Sequence, residues 1–477
     1  MTDTLSRPAA PSVSTLSALR ASGHVHKSVK GEIRDNLLAG LRAGADVFPG
    51  IVGFQDTVLP QVERALLAGH DVVLLGERGQ GKTRLIRTLI GLLDEWTPVV
   101  EGCEINDHPY APVCVRCQTL AAELGDELPV SWKHRSERYG EKLATPDTSV
   151  GDLIGDVDPI KVAEGRKLGD PETVHYGLVP RTNRGIFSVN ELPDLAERIQ
   201  VSLLNVLEER DIQVRGYALR LPLDLLLIAS ANPEDYTNRG RIITPLKDRF
   251  GAEIRTHYPL RLDDEIGLIK QEALLHWGAD AVSALVPEHL IEVLARFTRL
   301  VRESPAVDVR SGVSARFAVA GAETVAASAV RRAAITGEDP AIARVCDLPS
   351  VVETLRGKVE FEASEEGREA EILTHLLKRS IAETYRARLA GIDLAGLLAK
   401  FDEEGTVETG QLVPAGELLR RVGAVPGLSK ILERLGMDEA AETPGLAAAA
   451  IEFTLEGLHL SKRLSKDELP TRTVYGG

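Results

Sequence analysis

The chain has 477 residues, too many for one compact core, so we expect two to four domains. Its formal net charge is −15, with 71 acidic and 56 basic side chains. Such a surface repels phosphate backbones and anionic lipids, so we expect no direct nucleic-acid binding and no membrane binding. The sequence has neither a membrane-length apolar run nor an apolar signal segment, and its four cysteines imply no disulfide framework. We therefore expect a cytoplasmic protein.

Strand and helix patterns alternate in the first half of the chain. Residues 1–47 are predicted to be a mobile tail followed by a helix over 28–43. The apolar run at 71–75 is typical of a strand buried on both faces, and 185–189 and 223–230 repeat the pattern. A helix is predicted over 195–209 and a hairpin over 212–220, whereas 100–145 is polar and irregular. This alternation favours an α/β domain with a parallel sheet over residues 48–258.

Helical patterns replace the strands after Pro259. We expect one helical domain over 259–345 and a helical C-terminal region over 346–477, with no further strand. In the segment 370–389, apolar residues recur on one face, which predicts a core-facing helix.

A phosphate-binding loop is the strongest chemical signal in the sequence. The segment reads Gly76-Glu77-Arg78-Gly79-Gln80-Gly81-Lys82-Thr83, which satisfies G-x-x-x-x-G-K-[ST] between an apolar strand and a helix. Its glycines let backbone N–H groups surround phosphates, Lys82 adds a positive charge, and the Thr83 hydroxyl is a Mg²⁺ ligand. The motif predicts binding of ATP with Mg²⁺.

A second signal lies at the end of the next predicted strand, where Asn190 precedes Glu191. A P-loop ATPase needs an acidic residue here for Mg²⁺ and a following glutamate that orients and deprotonates water. Glu191 suits the second role. Asn190 stands where aspartate is usual, so we expect Thr83 and the phosphates to hold Mg²⁺ and hydrolysis to be slow.

Three further polar residues are candidates by their order along the chain. Asn232 follows the third strand and could reach between water and the γ-phosphate, although Asn-Pro is also a common turn former. Arg249 and Arg316 could stabilise the charge on the γ-phosphate, although a surface arginine is more often simply solvated.

Cysteine spacing suggests a metal site in the irregular segment. Cys103, His108, Cys114 and Cys117 form C-x4-H-x5-C-x2-C, and the last pair has the spacing of a zinc site. Free thiols in a loop are the alternative. The sequence therefore offers Zn²⁺ as a possible second cofactor.

Taken together, these motifs resemble the ATPase (I) subunit of magnesium chelatase and its MoxR relatives, which are AAA+ proteins. The resemblance runs from Phe48 to Val330 and includes the loop at 76–83, the segment 177–185 and the stretch 231–235. It implies a parallel five-stranded sheet between helices, followed by a helical lid, and assembly into a homo-oligomer, a hexameric ring with nucleotide between subunits.

The resemblance also implies roles for individual residues. Ile51, Val52 and Gly53 would lie against adenine, Arg249 would be the arginine finger, and Arg316 would be sensor 2. Residues 144–184 would hold the helix-2 insert, and residues 211–221 the hairpin that faces the pore.

The function these features favour is an ATPase of the magnesium chelatase I type that remodels or activates a partner. A protein with a von Willebrand A domain is the expected partner, and metal insertion into a cofactor is a narrower version. Two alternatives stay open: a nucleotide-gated scaffold with little turnover, and a transcriptional ATPase that activates the alternative sigma factor. The Gly-Ala-Phe-Thr-Gly-Ala loop of those activators is missing from the sequence.

Overall fold

The computed structural model describes residues 7–157, 160, 163, 173–208, 221–232, 241–275, 284–308, 312–423, 425, 427–437, 443–469 and 472–477. The chain divides into two compact units, with the boundary between His257 and Tyr258. Among the described residues, no helix is both long enough and apolar enough to cross a membrane.

A five-stranded parallel sheet forms the centre of the first unit, as predicted. Its spatial order is β4-β7-β8-β1-β9, and every neighbouring pair is parallel. The strands are β1 (Val72–Leu75), β4 (Tyr139–Leu143), β7 (Gly185–Asn190), β8 (Leu225–Ala231) and β9 (Ala252–Arg255). Two antiparallel pairs lie outside the sheet: β2 (Trp96–Val100) with β3 (Val130–His134), and β5 (Gly155–Val157) with β6 (Val174–Tyr176).

Helices cover both faces of this sheet. Successive strand residues point to opposite faces, so Val72 and Leu74 join one apolar cluster and Val73 and Leu75 join the other. The helices of this unit are α1 (Leu16–Ala21), α2 (Val29–Ala43), α3 (Leu59–Leu67), α4 (Lys82–Thr88), α5 (Val115–Leu124), α6 (Val150–Leu153), α7 (Leu178–Arg181), α8 (Glu197–Glu208) and α9 (Thr244–Arg249). The result is a three-layer α/β/α unit.

The N-terminal segment is part of this unit. Helix α2 begins after Ser28, whose hydroxyl caps Gly31 N–H, as the sequence predicted. The prediction of a mobile tail before it was wrong for residues 14–21, because β-type backbone pairing joins Thr15 to Pro129 and α1 follows directly. Glu32 of α2 also forms a buried bidentate ion pair with Arg138, at 2.6 and 2.7 Å.

The prediction of an irregular segment over 100–145 was also wrong in part. The segment contains α5, β3 and β4, and β4 is the edge strand of the central sheet. Most side chains of β4 are only half-buried. It therefore lacks the apolar run that marked β1, β7 and β8.

The second unit is mainly helical, as predicted, and has one apolar core of its own. Its helices are α10 (Leu262–Glu272), α11 (Glu288–Glu303), α12 (Ala315–Thr336), α13 (Pro349–Leu355), α14 (Glu369–Leu389), α15 (Ala395–Glu404), α16 (Ala415–Val422), α17 (Leu428–Arg434) and α18 (Pro444–Leu460). The core-facing helix predicted over 370–389 is α14.

The expectation of no strand after Pro259 was wrong. The strands β10 (Ala284–Leu285) and β11 (Ala341–Ile342) pair in parallel. A three-stranded antiparallel sheet forms from β12 (Thr406–Thr409), β14 (Thr473–Gly476) and β13 (Ser465–Glu468). The hairpin predicted over 212–220 lies outside the described residues, as do most of 158–172.

Candidate functional site

The predicted phosphate-binding loop lies at the carboxyl end of β1 and leads into α4. Gly79 and Gly81 have φ values of 73° and 76°, a left-handed conformation that glycine adopts without steric cost. Gly81 is the N-cap residue of α4, so the helix begins at Lys82. The backbone therefore has the strand–loop–helix form that the motif requires.

The Lys82 ammonium group is folded onto this loop. It donates to the carbonyl oxygens of Gly76 and Glu77, the latter at 2.8 Å, and to Asn232 Oδ1 at 2.9 Å. Lys82 is buried, and these oxygens supply partners for its charge. The structure thus joins the loop directly to the predicted residue at the end of β8.

Gly76 lies where no side chain fits. A methyl group on its Cα would overlap the Thr256 hydroxyl and the Gln80 side-chain oxygen. Those two groups are hydrogen-bonded to each other at 2.7 Å, and Thr256 follows β9 directly. The base of the loop is therefore packed against the end of a neighbouring strand.

Three of the predicted site regions meet at one edge of the sheet. The loop follows β1, Asn232 follows β8, and Asn190 and Glu191 lie at the end of β7. These strands are consecutive neighbours in the sheet, and all run parallel. Ligands of open α/β sheets bind outside the carboxyl ends of the strands, and this is the edge where the loop lies.

Asn190 is buried, and both ends of its amide have partners. Its Nδ2 donates to Glu141 Oε1 at 2.7 Å, and its Oδ1 accepts from the Ser230 hydroxyl at 3.3 Å. Glu141 lies on β4, the strand next to β7. A carboxylate is therefore present beside the position where P-loop ATPases usually carry aspartate, although position 190 itself is neutral.

The surroundings of the Glu141 carboxylate favour its ionised form. Burial alone would raise its pKa, but hydrogen bonds from Arg87 and Tyr139 outweigh that effect and lower the pKa below its ordinary value. Arg87, on α4, donates from two nitrogens at 2.9 and 3.0 Å. Glu141 was not predicted from the sequence because β4 was not recognised as a strand. The pairing of β4 with β7 joins distant parts of the chain and leaves no local pattern in the sequence.

Glu191 has a backbone conformation that non-glycine residues rarely adopt. Its φ is 57°, and its N–H donates to the Ser230 hydroxyl at 3.3 Å. Left-handed non-glycine residues cluster at functional sites, where surrounding structure compensates the strain. The conformation turns the chain sharply after β7 and leaves the glutamate half-exposed.

The other predicted residues occupy varied environments. Arg249 ends α9 as an exposed side chain that contacts Asp248 at 3.3 Å. Arg316 lies exposed in the first turn of α12, in the second unit. Ile51 is packed into the apolar cluster beneath β1 and α4, and Gly53 adopts a φ of 79°.

The predicted cysteine cluster forms, but with a different fourth member. Ligand atoms of Cys103, Asp107, Cys114 and Cys117 all lie within 4.8 Å of one another. His108 lies outside this group, which corrects the predicted set. Its Nδ1 accepts from Tyr110 N–H at 3.0 Å, and its Nε2 lies 3.3 Å from His24 Nε2.

The parallel sheet, the strand–loop–helix arrangement at 76–83 and the polar strand ends are those of a P-loop nucleotide-binding fold. In sequence, the chain is similar to subunits of magnesium chelatase, and the resemblance seen in the motifs is confirmed. It is 31% identical over 190 residues to the magnesium-chelatase subunit ChlI of Guillardia theta, covering 39% of this chain and 50% of the relative. It is 28% identical over 252 residues to the 38 kDa subunit of Cereibacter sphaeroides, covering 49% of this chain and 68% of the relative.

These similarities extend over part of each protein, since the chain spans about half the length of the first relatives it matches. The sigma-54 interaction domain family matches residues 168–249. Among solved structures, a chain from the complex between subunits BchI and BchD of magnesium chelatase, based on a cryo-EM reconstruction, is 21% identical. That match covers 68% of this chain and 98% of the other, with a TM-score of 0.36.

Proposed function

We propose that this protein binds ATP with Mg²⁺ and hydrolyses it as an AAA+ motor of the magnesium chelatase I type. The observation that carries the proposal is the hydrogen bond between Lys82 and Asn232, at the meeting point of β1, β7 and β8. It joins the phosphate-binding lysine to the polar group at the end of the neighbouring strand. The loop fits a phosphate because Gly79 and Gly81 have positive φ values, the space beside Gly81 is open, and Lys82 supplies positive charge.

Each of the residues has a separate task in this proposal. Lys82 would exchange its loop carbonyl partners for phosphate oxygens, and the Thr83 hydroxyl would be a Mg²⁺ ligand. Bound Mg²⁺ supplies neutralising charge at the phosphates. Glu191 orients and deprotonates the attacking water, and Asn232 holds a position between that water and Lys82.

Asn190 makes the Mg²⁺ site weaker than usual. Its amide carries no charge, so Thr83 and the phosphates would supply the main ligands to Mg²⁺. The ionised Glu141, 2.7 Å from the Asn190 amide, contributes a negative charge at longer range. We therefore expect slow turnover and a Mg²⁺ requirement that depends on Glu141.

The active assembly in this proposal is a homo-oligomeric ring, hexameric by resemblance to the family. Arg249 is exposed on its own unit, which suits a group that reaches the nucleotide of a neighbouring subunit. Arg316 would act as sensor 2. Loss of an arginine finger costs ~10³–10⁵ in rate in enzymes that use one.

The client in this proposal is a partner protein, and the family resemblance suggests one with a von Willebrand A domain. The magnesium-chelatase relatives are themselves named as subunits, which supports a motor that works with other chains. Metal insertion into a cofactor is the narrower form of the proposal. It is tested by adding partner subunits and measuring ATP-dependent insertion.

A turnover assay tests the motor. Wild type should hydrolyse ATP, Lys82→Ala should abolish turnover, and Glu191→Gln should bind ATP while losing ~10²–10⁴ in rate. Arg249→Ala should lose turnover, whereas Lys247→Ala, a matched loss of charge on the same helix, should not. Equal rates for wild type and Lys82→Ala would refute the motor, and if wild type still bound ATP, that result would favour a nucleotide-gated scaffold.

Mixing variants tests whether Arg249 acts between subunits. Lys82→Ala subunits lack a working site but keep Arg249, and Arg249→Ala subunits have the opposite defect. If Arg249 reaches a neighbour, the mixture should regain part of the turnover that each variant lacks. No recovery in rings shown to contain both variants would show that Arg249 does not act on the nucleotide of a neighbouring subunit.

A transcriptional ATPase of the sigma-54 type is the second candidate, favoured by the family match over 168–249. Because the sequence has no Gly-Ala-Phe-Thr-Gly-Ala loop, contact with the sigma factor would need another surface. Nucleotide-dependent binding to purified sigma-54 would support this candidate over the chelatase-type motor.

A further inference from the structure

The cluster of Cys103, Asp107, Cys114 and Cys117 has the composition and size of a tetrahedral metal site. Its four ligand atoms lie within 4.8 Å of one another. Tetrahedral zinc with Zn–S bonds of about 2.3 Å places its sulfur ligands ~3.8 Å apart, well inside that limit. Three thiols and one carboxylate are thus gathered at the spacing a single ion requires.

Asp107 provides the second, independent observation. Asp107 as a residue is only 1% exposed. Its Oδ2 accepts from the N–H groups of Val113 and Cys114 at 3.1 and 2.9 Å, but its Oδ1 has no hydrogen-bond partner among the described residues. A buried carboxylate oxygen without a partner is costly, and a bound cation would remove that cost.

Backbone N–H groups also point at the sulfur atoms. Asp107 N–H donates to Cys103 Sγ at 3.3 Å, and Cys117 N–H donates to Cys114 Sγ at 3.4 Å. Such bonds favour the thiolate, which is the form that binds metal. Cys114 and Cys117 are buried and Cys103 is half-buried, so the cluster is nearly closed to water.

We propose that Cys103, Asp107, Cys114 and Cys117 bind one structural Zn²⁺ ion. Three soft thiolates and a carboxylate in a small tetrahedral arrangement favour zinc over magnesium or calcium, which take more oxygen ligands. Four protein ligands leave no open position, as expected of a structural rather than a catalytic site. The site does not depend on the proposed ATPase activity.

The ion would fix a loop that is bonded to the chain leading into β7. Asn106, between two of the ligands, donates to the carbonyl oxygens of Arg181 and Asn183 at 2.8 and 3.0 Å. Asn183 returns a bond to Ile105 O at 2.9 Å. β7 ends in Asn190 and is followed by Glu191. The loop that carries the four proposed ligands, residues 103–117, therefore supports the start of the strand that positions Asn190 and Glu191.

Metal analysis of the full-length chain tests the proposal. Protein made with Zn²⁺ in the medium and purified under reducing conditions without chelator should contain close to one zinc ion per chain. The double variant Cys114→Ser/Cys117→Ser should contain only a small fraction of that amount. Wild type without zinc, or a double variant with the wild-type amount, would overturn the proposal.

Three single variants identify the fourth ligand. Asp107→Ala should lose zinc, whereas His108→Gln should keep it, because His108 bonds to Tyr110 and His24 instead. Cys346→Ser controls for loss of a thiol outside the cluster. Zinc loss in His108→Gln with retention in Asp107→Ala would show that the ligand assignment is wrong.

Cobalt titration keeps the test decisive if the cysteine variants fail to fold. Wild-type protein stripped with chelator should take up Co²⁺ and develop thiolate-to-cobalt charge-transfer absorption together with the strong visible bands of a tetrahedral ion. Added Zn²⁺ should remove these bands. Their absence would overturn the proposal without use of any variant.

Discussion

Replacing Asn190 by aspartate restores the residue that is usual at this position, yet we expect the change to destabilise the nucleotide-free protein. The amide now donates to Glu141 Oε1 at 2.7 Å, so Asn190→Asp puts a carboxylate oxygen where a donor was. A lost hydrogen bond to a charged acceptor costs about 1.5–3 kcal/mol. Two negative charges about 4 Å apart repel by roughly 4 kcal/mol at an effective dielectric constant of about 20.

The net effect should be smaller than the sum of these two costs. Arg87 already bonds to Glu141 through two nitrogens, and the Glu141 side chain is 22% exposed, so charge and water both screen the repulsion. One carboxyl group can also keep its proton, which caps the cost near neutral pH. We expect Asn190→Asp to lower the free energy of unfolding by about 2–4 kcal/mol.

Denaturant unfolding of a double-mutant cycle measures this coupling. Glu141→Gln should recover most of the stability lost in Asn190→Asp, with a coupling free energy of about 2 kcal/mol or more. Asn36→Asp is the matched control, because Asn36 donates to Asp94 at 2.8 Å in an exposed pair where like charges cost about 0–1 kcal/mol. Mg²⁺ with ATP should reduce the loss in Asn190→Asp, since a cation would then lie near both carboxylates. A coupling free energy below about 0.5 kcal/mol would refute the reasoning.

Three other sets of variants probe particular contacts. Gly76→Ala should weaken ATP binding in a nucleotide-binding assay, because the methyl group would overlap two side chains at the loop, whereas Gly91→Ala meets no atom within 4 Å and should bind normally. Arg138→Met should lower the free energy of unfolding by about 3–5 kcal/mol by leaving Glu32 buried and unpaired, and the double variant with Glu32→Met should recover most of it. Burial lowers the pKa of His289 to about 3, so between pH 6.5, its ordinary pKa, and pH 3 only the unfolded state gains the proton. The free energy of unfolding should therefore fall by about 1.4 kcal/mol for each pH unit below 6.5. Unfolding curves of His289→Phe should lack this contribution to the pH dependence.

The elements that could be predicted are those whose own sequence carries the signal. Strands β1, β7 and β8 are buried on both faces, so each reads as an apolar run. The edge strand β4 has mostly half-buried side chains and reads as polar chain. Its place in the sheet comes from pairing with β7, a contact between distant parts of the chain that no local pattern records. Glu141 was missed for the same reason.

The fourth member of the cysteine cluster could not be predicted from residue spacing. Spacing identified Cys103, Cys114 and Cys117, but it selected His108 as the fourth member where the structure has the preceding residue, Asp107. The choice depends on the local backbone, where Asn106 adopts a φ of 57° and neighbouring side chains diverge. Asp107 then faces the sulfur atoms, and His108 packs against His26 with ring centroids 4.0 Å apart.

Hydrogen bonds between the cysteine-cluster loop and the start of β7 predict that the proposed zinc ion affects ATP turnover. Arg184, the residue before β7, has a left-handed backbone and donates to the carbonyl oxygens of Pro98 and Asn106, at 2.7 and 3.3 Å. If zinc orders the loop over residues 103–117, removal of zinc should increase the mobility of the start of β7. The phosphate-binding loop follows β1 and should be affected less. Protein stripped of zinc by a chelator and then returned to chelator-free buffer with excess Mg²⁺ should therefore lose ATP turnover more than ATP affinity, because Glu191 follows β7 and Lys82 does not.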